Sequence, residues 1–214
     1  MEIKNEKYQS LFTPWKVGNV EIKNRIVMCP MGGTSLFGWF ELGGCHFDKE
    51  AAKLFLERAN NNVGLIIPGI APLRDTFWGK WLWQNPKMFE ELKEFMDEIH
   101  KTGAKLFVQL TAGMGRSWAI TELVAPLHKN KVTRALIKPI IDTNHELACP
   151  SPQPSRWAHD IICPEMTVEQ IHEIIEAFAK TAKLCMDAGV DGVEVHAVHE
   201  GYLLDQFAIE FFNK

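Results

Sequence analysis

The sequence predicts an α/β fold, a (β/α)8 or TIM barrel of which about the first four β/α units are present. Three observations predict it. Short apolar runs alternate with stretches of helical periodicity. The strand faces divide into an aliphatic side and a mixed side. The polar residues gather where strands end.

Arg25–Cys29 (RIVMC) is a short apolar run ending at Pro30 and reads as the first strand, with Cys29 inside it as a core residue. Asp48–Asn61 reads as a helix, with Ala51, Leu54, Phe55 and Ala59 on one side. Val63–Ile67 (VGLII) is a second buried strand, closed by Pro68-Gly69. Asn85-Pro86 starts a helix, since proline is tolerated in the first turn. Phe89, Leu92, Met96 and Ile99 then recur at helical spacing until Gly103. Ala104–Leu110 (AKLFVQL) is the third strand. Residues 111–166 break the rhythm with Gly113, Gly115 and prolines at 150, 152, 154 and 164, and read as a long loop excursion. Connections of that length are usually functional. Thr167 and Gln170 form a capping box. Ile171, Ile174, Ile175, Phe178, Ala182 and Cys185 make the buried stripe of the helix, Gly189 stops it, and Val190–His196 is the fourth strand.

Such alternation implies a parallel sheet, either doubly wound or closed into a barrel. Strand parity favours the barrel. Leu106, Val108 and Leu110 share one face, and Lys105, Phe107 and Gln109 the other. Val193 and Val195 likewise oppose Glu194 and His196. A doubly wound sheet would want apolar residues on both faces. Lys105 and Glu194 would both point inward, as a pair or as independent solvated charges. In either fold, ligand chemistry gathers at the C-terminal strand ends. Gln109 and His196 stand there, and Pro30-Met31-Gly32 lies just past the first strand.

Apolar residues make up 46% of the 214, enough for one sizeable domain or a piece of a larger one. A formal net charge of −4 favours neither nucleic acid nor an anionic membrane as partner. No window reaches the roughly 18 apolar residues of a spanning helix, and the charged N-terminus does not read as a secretory signal. The five cysteines are odd in number and lack a C-x-x-C spacing, which points to reduced thiols and a cytoplasmic location.

The stretch GVEVHAVHEGYLLDQF, residues 192–207, carries the chemistry. His196 and His199 stand at a strand mouth and Tyr202 follows. Two imidazoles and a phenol are the parts needed to hold a carbonyl oxygen and deliver a proton beside it. The competing readings are a core histidine, a packing tyrosine, and a histidine-bound metal in a barrel hydrolase, for which no third ligand stands out. Trp78, Trp81, Trp83, Trp118 and Trp157 fall in loops expected above the strands, as walls of a hydrophobic pocket or as loop and subunit packing.

LFTPWKVGNVEIKNRIVMCPMGGTS (11–35), FVQLTAGMGR (107–116), PSPQPSRW (150–157), PEMTVEQIHEII (164–175) and DAGVDGVEVHAVHEGYLLDQF (187–207) resemble, in order, segments of the old yellow enzyme family. The likeness is greatest to its NADH:flavin oxidoreductase / 2-enoate reductase branch. The resemblance implies an FMN-dependent ene-reductase. It would reduce the C=C bond of an α,β-unsaturated carbonyl or enoate, a small-molecule substrate, with NADH or NADPH as hydride donor. It also implies roles. Pro30, Met31 and Gly32 would pass under the flavin; Gly69 would sit at its edge, where a side chain would collide; Gln109 would bond its pyrimidine ring. His196 and His199 would bind the substrate oxygen, and Tyr202 would donate the proton. No metal site is implied in this chain, whereas longer members carry a 4Fe-4S cluster and FAD further on.

The chain departs from the family pattern in places. Many relatives read His-x-x-His-Gly-Tyr, but Glu200 intervenes here before Gly201-Tyr202. Thr111-Ala112-Gly113 stands where many carry a histidine or tryptophan, and Gly32 where some carry a cysteine. Residues 1–214 are expected to form the N-terminal half of an FMN-binding barrel, without the phosphate site built after its last strands. The second reading is therefore a truncated, non-catalytic half-barrel or an assembly partner, including a homo-oligomer in which half-barrels pair.

Overall fold

The computed structural model describes residues 6–38, 44–119, 121–199 and 201–214. The inserted Glu200 lies outside them. A hairpin opens the fold, β1 (Trp15–Val17) against β2 (Val20–Ile22), followed by β3 (Val27–Met28). A small antiparallel pair, β4 (Phe37–Gly38) and β5 (His46–Phe47), precedes α1 (Lys49–Asn60). Then come β6 (Leu65–Ile66), β7 (Ala71–Pro72), α2 (Pro86–Lys101) and β8 (Lys105–Thr111). The excursion holds α3 (Thr121–Lys129), α4 (Lys131–Ile137), α5 (Thr143–Glu146) and a hairpin of β9 (Gln153–Pro154) with β10 (Ile162–Cys163). Helix α6 (Val168–Asp187), β11 (Gly192–Val195) and α7 (Leu203–Ala208) complete the chain.

The main sheet runs β11-β8-β6-β3, all parallel, with β7 also on β8. Its spatial order follows the sequence without reversal. That is one flank of a (β/α)8 barrel rather than a doubly wound sheet, whose order turns back at a switch point. The faces divide as their parity predicts. Leu106, Val108 and Leu110 join the core formed with α1, α2 and α6. Phe107 points the other way and packs with Ile22, Leu65 and Ile67. Ile22 is fully buried, so the opening hairpin plugs the sheet's inner face. Burying such a side chain contributes about 1.5–3 kcal/mol.

The helix starts follow local capping. Asp48 accepts from the N–H groups of Glu50 and Ala51, both at 2.9 Å, ahead of α1. Asn85 caps α2, whose first residue is Pro86. Thr167 and Gln170 bond reciprocally at 3.2 and 2.9 Å ahead of α6.

Three expectations are corrected. Cys29 is exposed, because β3 ends at Met28 and the chain turns outward before Pro30. Lys105 pairs with Asp191 at 2.8 Å instead of with Glu194. Asp191 also lies 2.9 Å from His100 Nε2 and accepts from the Leu106 N–H at 3.0 Å, so it rivets the start of β11 to β8 and α2. The excursion is folded rather than looped. Its helices escape a periodicity reading because Leu123 and Leu136, 79% and 72% exposed, face outward and Pro126 sits inside α3. Their caps, Asn130 and Asp142, are the signal that marks them.

Helix α5 is tied to the loop after β7. Arg74 Nη1 donates to Glu146 Oε1 and Thr76 Oγ1 to Oε2, both at 3.2 Å. Burial, only partly offset by Arg74, raises the Glu146 carboxyl to about 7. Burial, then the Arg74 charge, lowers its neighbour His145 to about 4. No helix among the described residues is long and apolar enough to cross a membrane.

Candidate active site

The ends of β3, β6, β8 and β11 surround a cavity of about 260 Å³. Pro30, Met31 and Gly32 border it after β3, and Gly69 and Ile70 after β6. Gln109 enters from β8, and His196, Val198, His199 and Tyr202 from the segment after β11. The eight residues to which the resemblance gives flavin or substrate roles therefore line one cavity.

Backbone packing explains the platform. Gly69 N–H donates to Thr34 O at 3.0 Å, and a Cβ on Gly69 would stand 2.4 Å from Met31 O. The chain's own carbonyl, independent of any ligand, requires glycine there. Gly32 differs, since a Cβ on it would meet nothing within 4 Å. It faces open space.

Gln109 is 6% exposed, so it is not a solvent-facing strand end. Its register partner is Glu194, and its Nε2 donates to Glu194 Oε1 at 2.5 Å. That bond fixes the amide and leaves one N–H and the Oε1 free to face a ligand.

His196 is held by its backbone N–H, which donates to Leu110 O at 2.8 Å. The residue is 9% exposed and its buried Nδ1 has no hydrogen-bond partner. Leaving such an atom unpaired costs about 1–3 kcal/mol. Burial, then the neighbouring His199, lowers the His196 pKa, which favours the neutral ring. The His196 ring centroid lies 5.6 Å from that of His199 and 5.3 Å from Tyr202; the His199–Tyr202 separation is 5.1 Å. Two imidazoles and a phenol thus form one cluster at the cavity wall.

Two residues that sequence reasoning missed build the loop between the rings. Asp205, 5% exposed, accepts at Oδ2 from the N–H groups of His199 and Gly201, at 2.8 and 2.9 Å. Gln206 Nε2 donates to Gly201 O at 2.6 Å and Met114 O at 2.9 Å. Gly201 has φ +80°, a left-handed turn suited to glycine. Tyr202 N–H then returns to His199 O at 3.1 Å. Polar residues in the first turn of α7 are the signal that marks this clamp.

None of the five loop tryptophans borders this cavity. Trp118 is buried, and Trp83 packs against the core with Lys180 Nζ 4.6 Å from its ring. Trp157 Nε1 donates to Ser117 O at 3.0 Å. Trp78 and Trp81 line a second cavity of about 250 Å³ with Asp75 and Lys80. No group of three His, Cys, Asp or Glu side chains suited to a metal occurs among the described residues.

The chain is 37% identical to a cinnamate reductase of Clostridium sporogenes, over 97% of this chain and 29% of that protein. It is 31% identical to an NADPH dehydrogenase of Bacillus velezensis, over 96% of this chain and 53% of that protein. Old Yellow Enzyme from Pichia sp. superposes with a TM-score of 0.70 at 29% identity, covering 96% of this chain and 50% of that one. The chain thus spans about half or less of the length of these proteins, and its sheet is part of a TIM barrel. The profile of the NADH:flavin oxidoreductase / NADH oxidase family matches residues 10–214, and the chain belongs to that family.

Proposed function

We propose that residues 1–214 form the N-terminal half of an FMN-dependent ene-reductase barrel, acting on the C=C bond of an α,β-unsaturated carbonyl or enoate. The observation that carries the reading is the cavity of about 260 Å³, with the open backbone of Gly32 on one side and the His196–His199–Tyr202 cluster on the other. The residues fit a flat cofactor. Gly32 leaves space above the backbone, and Gln109 keeps hydrogen-bonding capacity toward the cavity. Pro30, Met31 and Gly32 would lie beneath FMN, Gly69 would sit at its edge, and Gln109 would bond its pyrimidine ring. When bound and reduced by NADH or NADPH, FMN supplies hydride to the substrate's β-carbon.

The chain's own residues do the rest. His196 and His199 donate N–H groups to the carbonyl oxygen, which gains negative charge as the β-carbon is reduced. The unpartnered Nδ1 of His196 marks an imidazole whose hydrogen bonding a ligand would complete. Neutral His196 lets this oxygen bind without a full charge that water must solvate. Tyr202 supplies a proton to the α-carbon from the same cluster. The names of the cinnamate and NADPH-dependent relatives support the substrate class and the hydride source. All five cysteines are free, in keeping with a reducing cytosol. A 4Fe-4S cluster and FAD, where longer relatives carry them, would belong to sequence outside these residues.

In the flavin-loaded enzyme containing this chain, the His196→Ala/His199→Ala double variant should lose at least about 10²-fold in turnover, the usual effect of removing oxyanion donors. It should keep its flavin absorbance. Unchanged kinetics would remove the oxyanion role. A second reading rests on the sheet. Strands β11 and β3 end it without a further partner among the described residues, so the chain would serve as an assembly partner whose edges are paired by another half-barrel. That reading expects weak FMN binding by the isolated chain. Stoichiometric flavin on the purified monomer would refute it.

A further inference from the structure

We propose that Cys149 and Cys163 form a redox-responsive thiol pair that a hydroperoxide converts to a disulfide, stapling the neck of the loop between them. The two residues stand fourteen positions apart, yet their chains run side by side. Cys149 N–H donates to Pro164 O at 3.0 Å, and Met166 N–H donates to Cys149 O at 2.9 Å. Cys149 Sγ lies 3.9 Å from Cys163 O and 3.5 Å from Pro164 O. The thiols form a relay: Cys163 donates to the Cys149 sulfur, and Cys149 donates to Ser151 O at 3.1 Å. The parallel bridge seats Cys149 opposite Glu165, two positions past Cys163, while the Cys149 sulfur reaches back toward Cys163, so closing the S–S bond would draw the neck of the loop together.

The same relay distinguishes the two sulfurs. Donation from Cys163 holds the Cys149 thiol below its ordinary range, and Arg116 adds a positive charge nearby. That bond, followed by burial, pushes Cys163 up. Cys149 is therefore the nucleophile and Cys163 the resolving thiol. Its sulfur attacks the terminal peroxide oxygen, the O–O bond breaks, and an alcohol leaves, so that Cys149 becomes a sulfenic acid. Cys163 then displaces water and the S–S bond forms. Two thiols lose two protons and two electrons; the hydroperoxide becomes alcohol and water. Both cysteines are fully buried, while Ile162, on the opposite face of β10, is 58% exposed.

The loop so closed leads back to the cavity wall. Arg116 Nε donates to Pro154 O at 3.1 Å, and Arg156 N–H donates to Arg116 O at 2.9 Å. Ser117 Oγ donates in turn to Gly201 O at 2.9 Å, next to Tyr202. The staple would stiffen the support of that tyrosine.

The test uses the purified chain and hydrogen peroxide. After treatment, three of the five thiols should titrate in denaturant, with a loss of two hydrogens by mass and a crosslinked peptide joining residues 149 and 163. The melting temperature should rise by roughly 5–10 °C, the effect of closing a loop of this length in a chain of this size. Cys149→Ser and Cys163→Ser should each abolish the crosslink, while Cys29→Ser, at an exposed site, should keep it. The proposal is overturned if the treated wild-type chain alkylates at both Cys149 and Cys163 after unfolding. It is equally overturned if Cys149 gains oxygen without pairing, or if oxidation falls only on Cys29. The wild-type measurement stands even if a serine variant fails to fold.

Discussion

Replacing Asp205 by alanine removes the single oxygen that receives the N–H groups of His199 and Gly201. Hydrogen bonds to a charged group contribute about 1.5–3 kcal/mol each. Two of them share one oxygen here, and water reaches part of the loop, so the sum is not fully additive. We expect Asp205→Ala to cost about 3 kcal/mol and Asp205→Asn, which keeps an acceptor oxygen, about 1 kcal/mol. Urea unfolding of the chain measures both. The site should respond as well, because the clamp sets where His199 and Tyr202 stand. In the flavin-loaded enzyme, kcat/KM should fall by more than tenfold for alanine and largely recover with asparagine. The Asp205 charge also raises His196 against the lowering effect of burial. Asp205→Asn should therefore push the His196 titration further down, as read by NMR of the ring carbons. An alanine variant within about 0.5 kcal/mol of wild type, with an unmoved His196 titration, would refute the clamp.

Gly32 and Gly69 should separate binding from folding. Gly69→Ala forces a Cβ to 2.4 Å from Met31 O and should cost about 1–3 kcal/mol in thermal unfolding. Gly32→Ala meets nothing in the chain, so stability should hold while FMN affinity falls; equal stability losses would contradict the platform geometry. The neighbours His145 and Glu146 should oppose each other in pH dependence. Glu146, raised to about 7, contributes stability below the ordinary carboxylate pKa that is lost as pH rises toward 7. His145, lowered to about 4, does the reverse, losing stability as pH falls from 6.5 toward 4. Wild type should be nearly flat between about pH 5 and 7.5, Glu146→Gln should gain of order 2 kcal/mol as pH rises through that range, and His145→Gln should lose a similar amount. Parallel profiles for the three proteins would show that the two groups do not titrate this way.

The sheet was legible because each of its strands carries a face-specific pattern. Leu106, Val108 and Leu110 could only meet helices, and Phe107 could only turn inward. The cavity-lining residues were legible because strand ends and Gly-Pro breaks locate the rim of a parallel sheet. Four features were not. The opening hairpin passed unread, although Gly18-Asn19 between alternating residues is a turn signal. The helices of the excursion turn leucines to the outside, so apolar spacing there does not mark a core. The Lys105 partner depended on Asp191, which lies just before β11, where alternation of strand faces no longer predicts direction. Asp205 and Gln206 stabilise a loop several residues upstream of themselves, and their role depends on a turn conformation that side-chain identity alone does not specify.

The seating of β11 on β8 joins positions 85 apart, as the Gln109–Glu194 bond records. A nascent chain emerging from the ribosome therefore acquires the Pro30–Gly32 and Gly69 platform well before the His196–His199–Tyr202 rings. Until Val193 and Val195 zip onto their neighbours, Gln109 has no carboxylate to orient it and the rim has no far bank. Contacts of such long range form slowly. A segment that stopped before β11 would keep Pro30, Gly69 and Gln109 but lack the ring cluster that faces them.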